Sequence, residues 1–293
     1  MKKYFEKLSL VELNTTFYQY PRIETVMGWR KKAPKNFEFT VKAHQDISHK
    51  SKMKVEDASI QAFDQMKQIC KMLNSKILLF QTPASFKPDK LAEAEKFFKK
   101  IKREDLALVW ETRGPEWEKT EAYKKLERVL KELDVTHVTD PFKTMPAYTG
   151  EIAYFRLHGL GEQMYYHQYS DVELQKLKEL ITPYEKKAET VYVLFNNLSM
   201  FDDALRFTEY LLTSAFPKIT SGKGLASVKE VVGKTRFPVS KSVLVKRVGW
   251  KLVELEDGKQ VRLETFLKNL PLKTFKNMDE LISELKSTVK LEG

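Results

Sequence analysis

The sequence predicts an α/β protein built from repeated βα units, and three observations lead to this fold class. Short apolar runs alternate with amphipathic segments up to about residue 215. The runs have the length of strands, and the segments between them carry apolar residues at helical spacing. Nearly every run also gains polar residues at its carboxyl end, which is where parallel α/β sheets bind ligands.

Length and composition limit the classes of protein to consider. A chain of 293 residues can bury the core of one large domain, or of one domain and a small module. Its 51 Lys and Arg against 40 Asp and Glu give a formal charge of +11. This excess favours an anionic partner, either a small anionic substrate or nucleic acid. A solvated basic surface explains the same excess.

The single cysteine and the hydropathy pattern bear on localisation. Cys70 lies in an apolar helical run, so we expect a buried thiol, and no intrachain disulfide can form. No apolar run approaches the ~20 residues that a membrane span needs, and residues 1–10 lack the apolar core of a signal peptide. We therefore expect no membrane association and a reducing, cytoplasmic environment.

Seven strands are predicted, and the first carries polar groups on one face. Val11 and Leu13 share one side of this strand, whereas Glu12 and Asn14 share the other. Buried polar groups need partners or a wet cleft. The seven strands are predicted at residues 11–18, 37–44, 76–80, 106–113, 135–140, 154–159 and 191–195.

Helices are predicted between the strands from apolar spacing, caps and proline breaks. Ser170 and Glu173 form a capping box, which marks the start of one helix. A first helix begins at residues 1–4. The helices between the strands, and the last one after them, are predicted at about 24–31, 56–73, 88–102, 118–133, 170–187 and 201–212.

The carboxyl ends of the strands predict one polar mouth, because these ends lie at the same edge of a parallel sheet. A structural role such as a salt bridge explains any one of these residues, but does not explain why the same edge is polar each time. The residues expected at this mouth are Glu12, Asn14, Lys42, His44, Gln81, Glu111, Arg113, Asp140, Arg156, His158, Asn196 and Asn197.

Seven short motifs, taken in order, resemble the signatures of the YecE-like family, also called domain of unknown function 72. The resemblance covers roughly residues 3–215 and implies a TIM-type (β/α) barrel. It supplies no established reaction, since the family is only loosely described as related to sugar isomerases. The motifs are Glu12-x-Asn14-x-Thr16-Phe17-Tyr18, Val41-Lys42-Ala43, Gln81-x-Pro83, Glu111-x-Arg113 with Trp117, Arg156-x-His158-Gly159, Tyr169-Ser170-Asp171 and Phe195-Asn196-Asn197.

The chain departs from the family pattern at its start. Family members begin with a strand carrying a Gly-Thr-Ser-Gly-Trp-like signature, which is absent here. We therefore expect a barrel that lacks one strand, and a start that is truncated or misassigned. The open edge beside strand 11–18 could pair with another copy and form an oligomer. Restoring upstream residues should raise solubility and thermal stability.

The second departure is an extension after residues 221–224, a linker rich in Gly and Ser. The predicted division is a barrel domain at 1–222 and a small α+β extension at 223–293. The extension should contain a short helix, a helix ending near 248, a hairpin around Asp257-Gly258, and helices at 264–269 and 277–288. Its basic residues could bind nucleic acid, or it could cover the open barrel edge.

The leading functional hypothesis is an enzyme that acts by acid–base chemistry on a small anionic or polyhydroxylated substrate. Glu12 or Glu111 would accept a proton, His158 would act as the acid or electrophile, and Arg156 and Arg113 would orient the substrate. Replacing Glu12 by Gln should then leave folding intact. The predicted substrate-binding residues are Asn14, Tyr18, Lys42, His44, Gln81, Arg113, Asp140, Arg156, Asn196 and Asn197.

Several alternatives stay open at the level of sequence. Carboxylates and imidazoles also suit a divalent metal, so a metal-dependent phosphoesterase or nuclease competes, although no metal-binding motif is present. Lys42 could form a Schiff base, but the sequence gives no sign of a lowered pKa. Glu111 could equally form a buried, inert ion pair with Arg113 or with Arg156. A non-catalytic nucleic-acid-binding or assembly protein that uses the basic extension is a further class.

Overall fold

The computed structural model describes residues 2–288, which divide into two compact units. The first unit comprises residues 2–157 and 179–194, and the second comprises residues 158–178 and 195–288. None of the helices in this described part of the chain has the length and apolarity needed to cross a bilayer. The predicted domain boundary at residue 222 stays a prediction.

A parallel sheet of five strands forms the centre of the first unit, in the order β1-β2-β3-β4-β5. The register places Glu12 opposite Thr40 and Gln81 opposite Glu111. This arrangement confirms the predicted α/β class with a parallel sheet. The strands are β1 Leu10–Leu13, β2 Glu38–Lys42, β3 Ile77–Gln81, β4 Ala107–Glu111 and β5 Val135–Val138.

The first strand is shorter than predicted, because the chain turns after Leu13. Residues Thr15–Phe17 form a 3₁₀ turn in which the Phe17 amide donates to the Asn14 carbonyl oxygen at 3.2 Å. The Thr16 hydroxyl oxygen lies 2.7 Å from the carbonyl oxygens of both Leu13 and Lys42. Threonine side chains compete with a strand ladder by bonding to nearby backbone in this way. The prediction of a strand over 11–18 was therefore wrong beyond Leu13.

Five helices accompany this sheet, and their apolar stripes form its outer core. Phe63, Met66, Cys70 and Leu73 of one helix are fully or almost fully buried, as the helical spacing predicts. Burial raises the pKa of the free Cys70 thiol to about 12, which keeps it protonated. The helices are α1 Lys2–Lys7, α2 Ile23–Lys32, α3 Asp57–Leu73, α4 Leu91–Lys100 and α5 Thr120–Leu133.

Two further strands, β6 Ile152–Leu157 and β7 Thr190–Phe195, pair with each other. A parallel bridge between Thr139 and Phe155 continues the sheet from β5 to β6, and the Arg156 amide donates to the Thr139 carbonyl oxygen at 2.9 Å. All seven predicted strands are thus present. Closure of these strands into a TIM-type barrel stays a prediction.

The second unit contains the predicted α+β extension, and it has a core of its own. Helix α6, Asp171–Glu185, begins in this unit and ends in the first. Val228, Leu244, Val253 and Phe275 are buried in the core of the extension. The remaining elements are α7 Met200–Thr213, α8 Gly224–Val232, β8 Val239–Ser240, α9 Lys241–Val248, β9 Leu252–Glu254, β10 Gln260–Arg262, α10 Glu264–Leu267, β11 Thr274–Phe275 and α11 Met278–Thr288.

The hairpin of β9 and β10 turns at Asp257-Gly258, as predicted, with Gly258 at a φ of +84°. This hairpin is hydrogen-bonded to the first residue of α6. The Asp171 amide donates to Gln260 Oε1 at 2.9 Å, and Gln260 Nε2 donates to Asp171 Oδ2 at 2.9 Å. The extension is therefore anchored to the start of α6.

Candidate active site

Arg156, on β6, is the centre of a buried polar cluster at the carboxyl ends of the strands. Its guanidinium is fully buried. Nε and Nη2 donate to Glu12 Oε1 at 3.1 and 2.7 Å, and Nη1 donates to Glu111 Oε2. A buried guanidinium is tolerated only when carboxylates and further hydrogen bonds compensate for its lost hydration. This requirement brings Glu12 and Glu111 together.

Arg156 carries a permanent positive charge at this site. Burial alone would lower its pKa, but the Glu12 and Glu111 carboxylates outweigh burial and raise the pKa above the ordinary arginine value. The guanidinium donates hydrogen bonds, but it cannot release a proton to a substrate under these conditions. Its role is electrostatic and geometric.

Neutral groups complete the hydrogen bonding of Glu12. Asn14 Nδ2 donates to Glu12 Oε1 at 3.0 Å, and the Tyr154 hydroxyl donates to Glu12 Oε2 at 2.7 Å. Thr40 Oγ1 lies 2.9 Å from the same hydroxyl. Burial, with the nearby Glu12 charge, raises the pKa of Tyr154, so the phenol stays neutral and donates. Each oxygen of Glu12 therefore already accepts a hydrogen bond.

Lys42, the last residue of β2, lies beside this cluster. Its Nζ donates to Gln81 Oε1 at 2.7 Å, and the same oxygen accepts from Arg156 Nη1 at 3.3 Å. The Lys42 Nζ also lies 4.2 Å from the centre of the Phe17 ring. Burial lowers the pKa of Lys42 to about 8, and the positive charge of Arg156 acts in the same direction.

Arg113 forms the outer edge of the cluster. Its Nε donates to Glu111 Oε1 at 2.9 Å, and its side chain is 23% exposed, whereas that of Glu111 is 7% exposed. Glu111 is therefore held between two guanidiniums, one buried and one reaching solvent.

The five charged side chains of this cluster do not balance. Lys42, Arg113 and Arg156 are cationic, whereas Glu12 and Glu111 are anionic, so these five side chains taken together carry a surplus of one positive charge. The surplus disappears when Lys42 loses its proton. A bound anion would also cancel it.

Three predicted residues have other surroundings in the first unit. His44 stacks on Tyr20 with ring centres 4.0 Å apart, and its Nδ1 lies 3.1 Å from Asp46 Oδ2. Burial lowers the pKa of His44. Tyr18 is 71% exposed. Asp140 is buried, and its Oδ1 accepts from the Phe142 amide at 3.2 Å.

The other three predicted residues lie in the second unit. His158 is buried, with its ring centre 5.9 Å from that of Tyr165. Asn196 is half-buried. Asn197 is buried, and its Nδ2 donates to the His167 carbonyl oxygen and to Asp203 Oδ2, both at 2.7 Å. Both hydrogens of the Asn197 side-chain amide are therefore used in hydrogen bonds within this unit.

The sequence reasoning left three residues of the first unit out of the site. Thr40 shares a strand face with Lys42, and Tyr154 shares one with Arg156, so the two-residue period could have identified both. His49 lies in a π-helical turn, Asp46–Lys50, with its ring centre 4.8 Å from that of Phe17. No sequence pattern signals this turn.

The carboxylates of the cluster do not fit a metal site. Within residues 2–288, no group of three or more His, Cys, Asp or Glu side chains is arranged to hold a metal ion. Glu12 and Glu111 each bind a guanidinium, which supplies the positive charge that a metal would bring.

The fold and the cluster together define an α/β protein with a buried, charge-dense group at the carboxyl end of a parallel sheet. A family model described as "Protein of unknown function DUF72" matches residues 1–221, and the chain belongs to this family. The match confirms the resemblance seen in the sequence motifs.

Relatives of this chain support the same assignment. UPF0759 protein YunF of Bacillus subtilis (strain 168) is 25% identical over 232 residues, which cover 70% of this chain and 82% of that protein. The crystal structure of a DUF72 family protein from Enterococcus faecalis V583 is 26% identical, with a TM-score of 0.59, and the match covers 72% of this chain and 92% of that chain. Another, from Thermotoga maritima MSB8, is 26% identical, with a TM-score of 0.56, covering 70% and 85%.

Proposed function

We propose that this chain is an enzyme that binds a small anionic, polyhydroxylated substrate, such as a sugar phosphate, and acts on it by acid–base chemistry. The observation that carries the proposal is the burial of Lys42 in the Arg156 cluster, where its Nζ donates to the neutral amide oxygen of Gln81. A buried cation without a matching anion is costly. A substrate anion would remove that cost, so the cluster should favour ligands with a phosphate or carboxylate group.

We also propose that strands β1–β7 curve into a TIM-type barrel, with the cluster at its mouth. Hydrogen bonds between the last strands and the first support this closure. The Tyr154 hydroxyl of β6 donates to Glu12 of β1, and the Tyr192 hydroxyl of β7 donates to Glu38 Oε1 of β2 at 2.7 Å. TIM-barrel enzymes bind their substrates at the carboxyl ends of the strands.

Within this site, Lys42 is the residue proposed to exchange a proton with the substrate. Its pKa of about 8 is close to the working pH of a cell, which is where a general acid or base is most effective. Arg113 would bind the anionic group. Glu12 would position Arg156, since both of its oxygens are engaged by donors. The catalytic role of His158 stays a prediction.

The first test of this proposal is binding. Isothermal titration calorimetry with a panel of aldose and ketose phosphates should identify a ligand for the wild-type protein. Arg113→Met should weaken the binding of that ligand by about tenfold or more, since a charge-assisted hydrogen bond contributes about 1.5–3 kcal/mol. Arg247→Met removes an exposed arginine of α9 and should bind like the wild type. The proposal would be contradicted if no sugar phosphate of the panel bound to the wild-type protein, or if Arg113→Met bound the ligand as tightly as the wild type does.

The second test is turnover. Proton exchange at the carbon next to the carbonyl group can be followed by NMR as deuterium incorporation from heavy water. The wild-type protein should accelerate this exchange for the bound sugar phosphate, and Lys42→Met should abolish the acceleration. Nucleic-acid binding through the extension, and association of copies through a sheet edge, stay predictions.

A further inference from the structure

We infer that Lys42 Nζ forms a Schiff base with the carbonyl carbon of the bound substrate, which narrows the substrate class to anionic aldehydes and ketones. This inference rests on the proposed anion-binding function. It adds a covalent step to the acid–base chemistry and assigns that step to one atom.

The hydrogen bonding of Lys42 favours a reactive amine over an ion-paired one. Its Nζ donates to a neutral amide oxygen, that of Gln81. Among residues 2–288, no carboxylate makes an ion pair with it, whereas Glu12 and Glu111 are bound by Arg156 and Arg113. A lysine held by an amide can lose its proton without leaving a buried carboxylate uncompensated.

The burial of Lys42 acts in the same direction. The residue keeps 8% of its surface accessible, and the Phe17 ring lies 4.2 Å from Nζ. Desolvation penalises the charged ammonium, and lysines activated as nucleophiles in enzymes are desolvated or lie next to another cation. Lys42 meets both conditions, because Arg156 is close enough to lower its pKa further.

A second titratable group, His49, is placed to move protons during this step. Burial lowers the pKa of its imidazole, and the positive charges of Lys42 and Arg113 lower it further. Its Nδ1 lies 2.9 Å from Ser48 Oγ, which fixes the ring. His49 and Lys42 pack against the same Phe17 ring, with 4.8 Å between the ring centres and 4.2 Å from Nζ to the Phe17 centre, so the inference assigns to this imidazole the relay of a proton to the departing oxygen.

The step balances in atoms and charge. The neutral Lys42 nitrogen attacks the carbonyl carbon, a C–N bond forms, and the π electrons of the carbonyl move to its oxygen, which takes up a proton. The nitrogen of the adduct gives up one of its two hydrogens as a proton, this proton is taken up by the hydroxyl group, and the carbinolamine loses that group as water. One lysine ammonium and one carbonyl compound give one iminium ion and one water molecule, and no oxidant or reductant takes part.

Reductive trapping tests this inference on the full-length protein. The probe is glyceraldehyde 3-phosphate with sodium cyanoborohydride at about pH 7.5. At this pH, a lysine with a pKa near 8 is neutral in about one molecule in four, whereas a lysine with the ordinary pKa of 10.5 is neutral in about one in a thousand. Peptide mass spectrometry reports the modification of each lysine separately. Lys42 should be modified at least about tenfold faster than the exposed Lys35. With glyceraldehyde, which lacks the phosphate, the ratio of these two rates should be smaller.

Two variants complete the design. Lys35→Arg is the matched control and should trap the probe at Lys42 as the wild type does. Lys42→Arg keeps the positive charge but cannot form an imine under these conditions. In this variant, no residue should be modified at the fast rate expected for Lys42. The wild-type peptide map gives the answer even if Lys42→Arg fails to fold.

Glycerol 3-phosphate separates this inference from the proposed function, because it carries the phosphate but no carbonyl group. In one outcome, glycerol 3-phosphate binds and slows the modification of Lys42, but glyceraldehyde 3-phosphate modifies Lys42 no faster than Lys35. The Schiff base is then wrong, and the anion site stands. If neither binding nor preferential trapping is found, both are wrong.

Discussion

Two nitrogen atoms of Arg156 donate to a single oxygen of Glu12, at 3.1 Å from Nε and 2.7 Å from Nη2. The Glu12 side chain is 5% exposed and that of Arg156 is fully buried, so both charges have left water. Such a pair contributes little beyond its own desolvation cost, yet removing one partner leaves a charge uncompensated. The geometry therefore makes Glu12 a structural requirement as much as a candidate catalytic residue.

Glu12→Gln should lower the free energy of unfolding by about 3 kcal/mol, because Arg156 would lose one of its two carboxylates in the interior. Urea unfolding followed by circular dichroism measures this change. Glu6→Gln is the matched control, since Glu6 pairs with Lys2 on the surface at 3.9 Å and should change stability by less than about 0.5 kcal/mol. Equal stability of the two variants would contradict the assignment.

This expectation differs from the one drawn from the sequence, which was that Glu12→Gln folds normally. The reason is distance along the chain. The partner of Glu12 is 144 residues away, so no local pattern indicates that its oxygens are already engaged. Sequence reasoning could bring Glu12, Glu111 and Arg156 to one sheet edge, because parallel strands end together. It could not say which group each side chain would bind.

The pKa of Lys42 predicts a specific pH dependence of stability. Its folded value of about 8 lies below the ordinary 10.5, so the unfolded chain binds more protons between these values and stability rises with pH across that window. The destabilisation is full below about pH 8 and is relieved above about 10.5. It amounts to about 3 kcal/mol.

Lys42→Met should remove this dependence. The difference in unfolding free energy between wild type and Lys42→Met should shift by about 3 kcal/mol in favour of the wild type between about pH 8 and 10.5. Lys35→Met should follow the wild-type curve at each pH. Parallel curves for wild type and Lys42→Met would mean that the amine titrates normally in the folded protein.

Gly159 should tolerate no side chain. Its φ is +95°, and an added Cβ would lie 2.6 Å from the Cβ of His167. Gly159→Ala should destabilise the protein by about 2 kcal/mol or more. Gly28→Ala is the control, because Gly28 lies within α2 with open space around its Cα, and there alanine should stabilise by about 0.5–1 kcal/mol. Thermal unfolding of both variants would show opposite shifts.

Arg262 should hold the hairpin of the extension to the segment before α6. Its Nη1 donates to the carbonyl oxygens of Gln168 and Trp250 at 3.1 and 2.8 Å, and its Nη2 lies 3.4 Å from Glu173 Oε1. Arg262→Met would leave these acceptors without their donor, at a cost of about 1–3 kcal/mol.

Hydrogen–deuterium exchange would measure this loss locally. Amides in residues 167–174 and 250–262 should exchange faster in Arg262→Met, whereas Arg247→Met, which removes an exposed arginine of the same unit, should leave them unchanged. Unchanged protection in Arg262→Met would remove this arginine from the anchoring role.

Secondary structure was the part of the fold that the sequence predicted best, because periodicity is local. The apolar run at β3 and the Asp257-Gly258 turn each specify their own geometry within a few residues. The prediction failed at Thr15–Phe17, where the Thr16 hydroxyl bonds to backbone of a strand far along the chain. Such a contact outweighs the apolar alternation and has no signature in it.

The lowered pKa of Lys42 was likewise beyond sequence reasoning. Its causes are burial, which is the largest, and the positive charge of Arg156. Both depend on where β2, β3 and β6 place their side chains. The sequence therefore placed the lysine at this edge of the sheet, but it did not indicate the lowered pKa.

The most direct test of the surplus charge at the Arg156 cluster is the NMR titration of the Lys42 ε-carbon, assigned by its loss in Lys42→Arg. We expect a midpoint near 8 in the free protein, and a rise when inorganic phosphate is added, because an anion favours the protonated amine. A midpoint above about 10 that phosphate does not move would contradict the proposed anion site at Lys42.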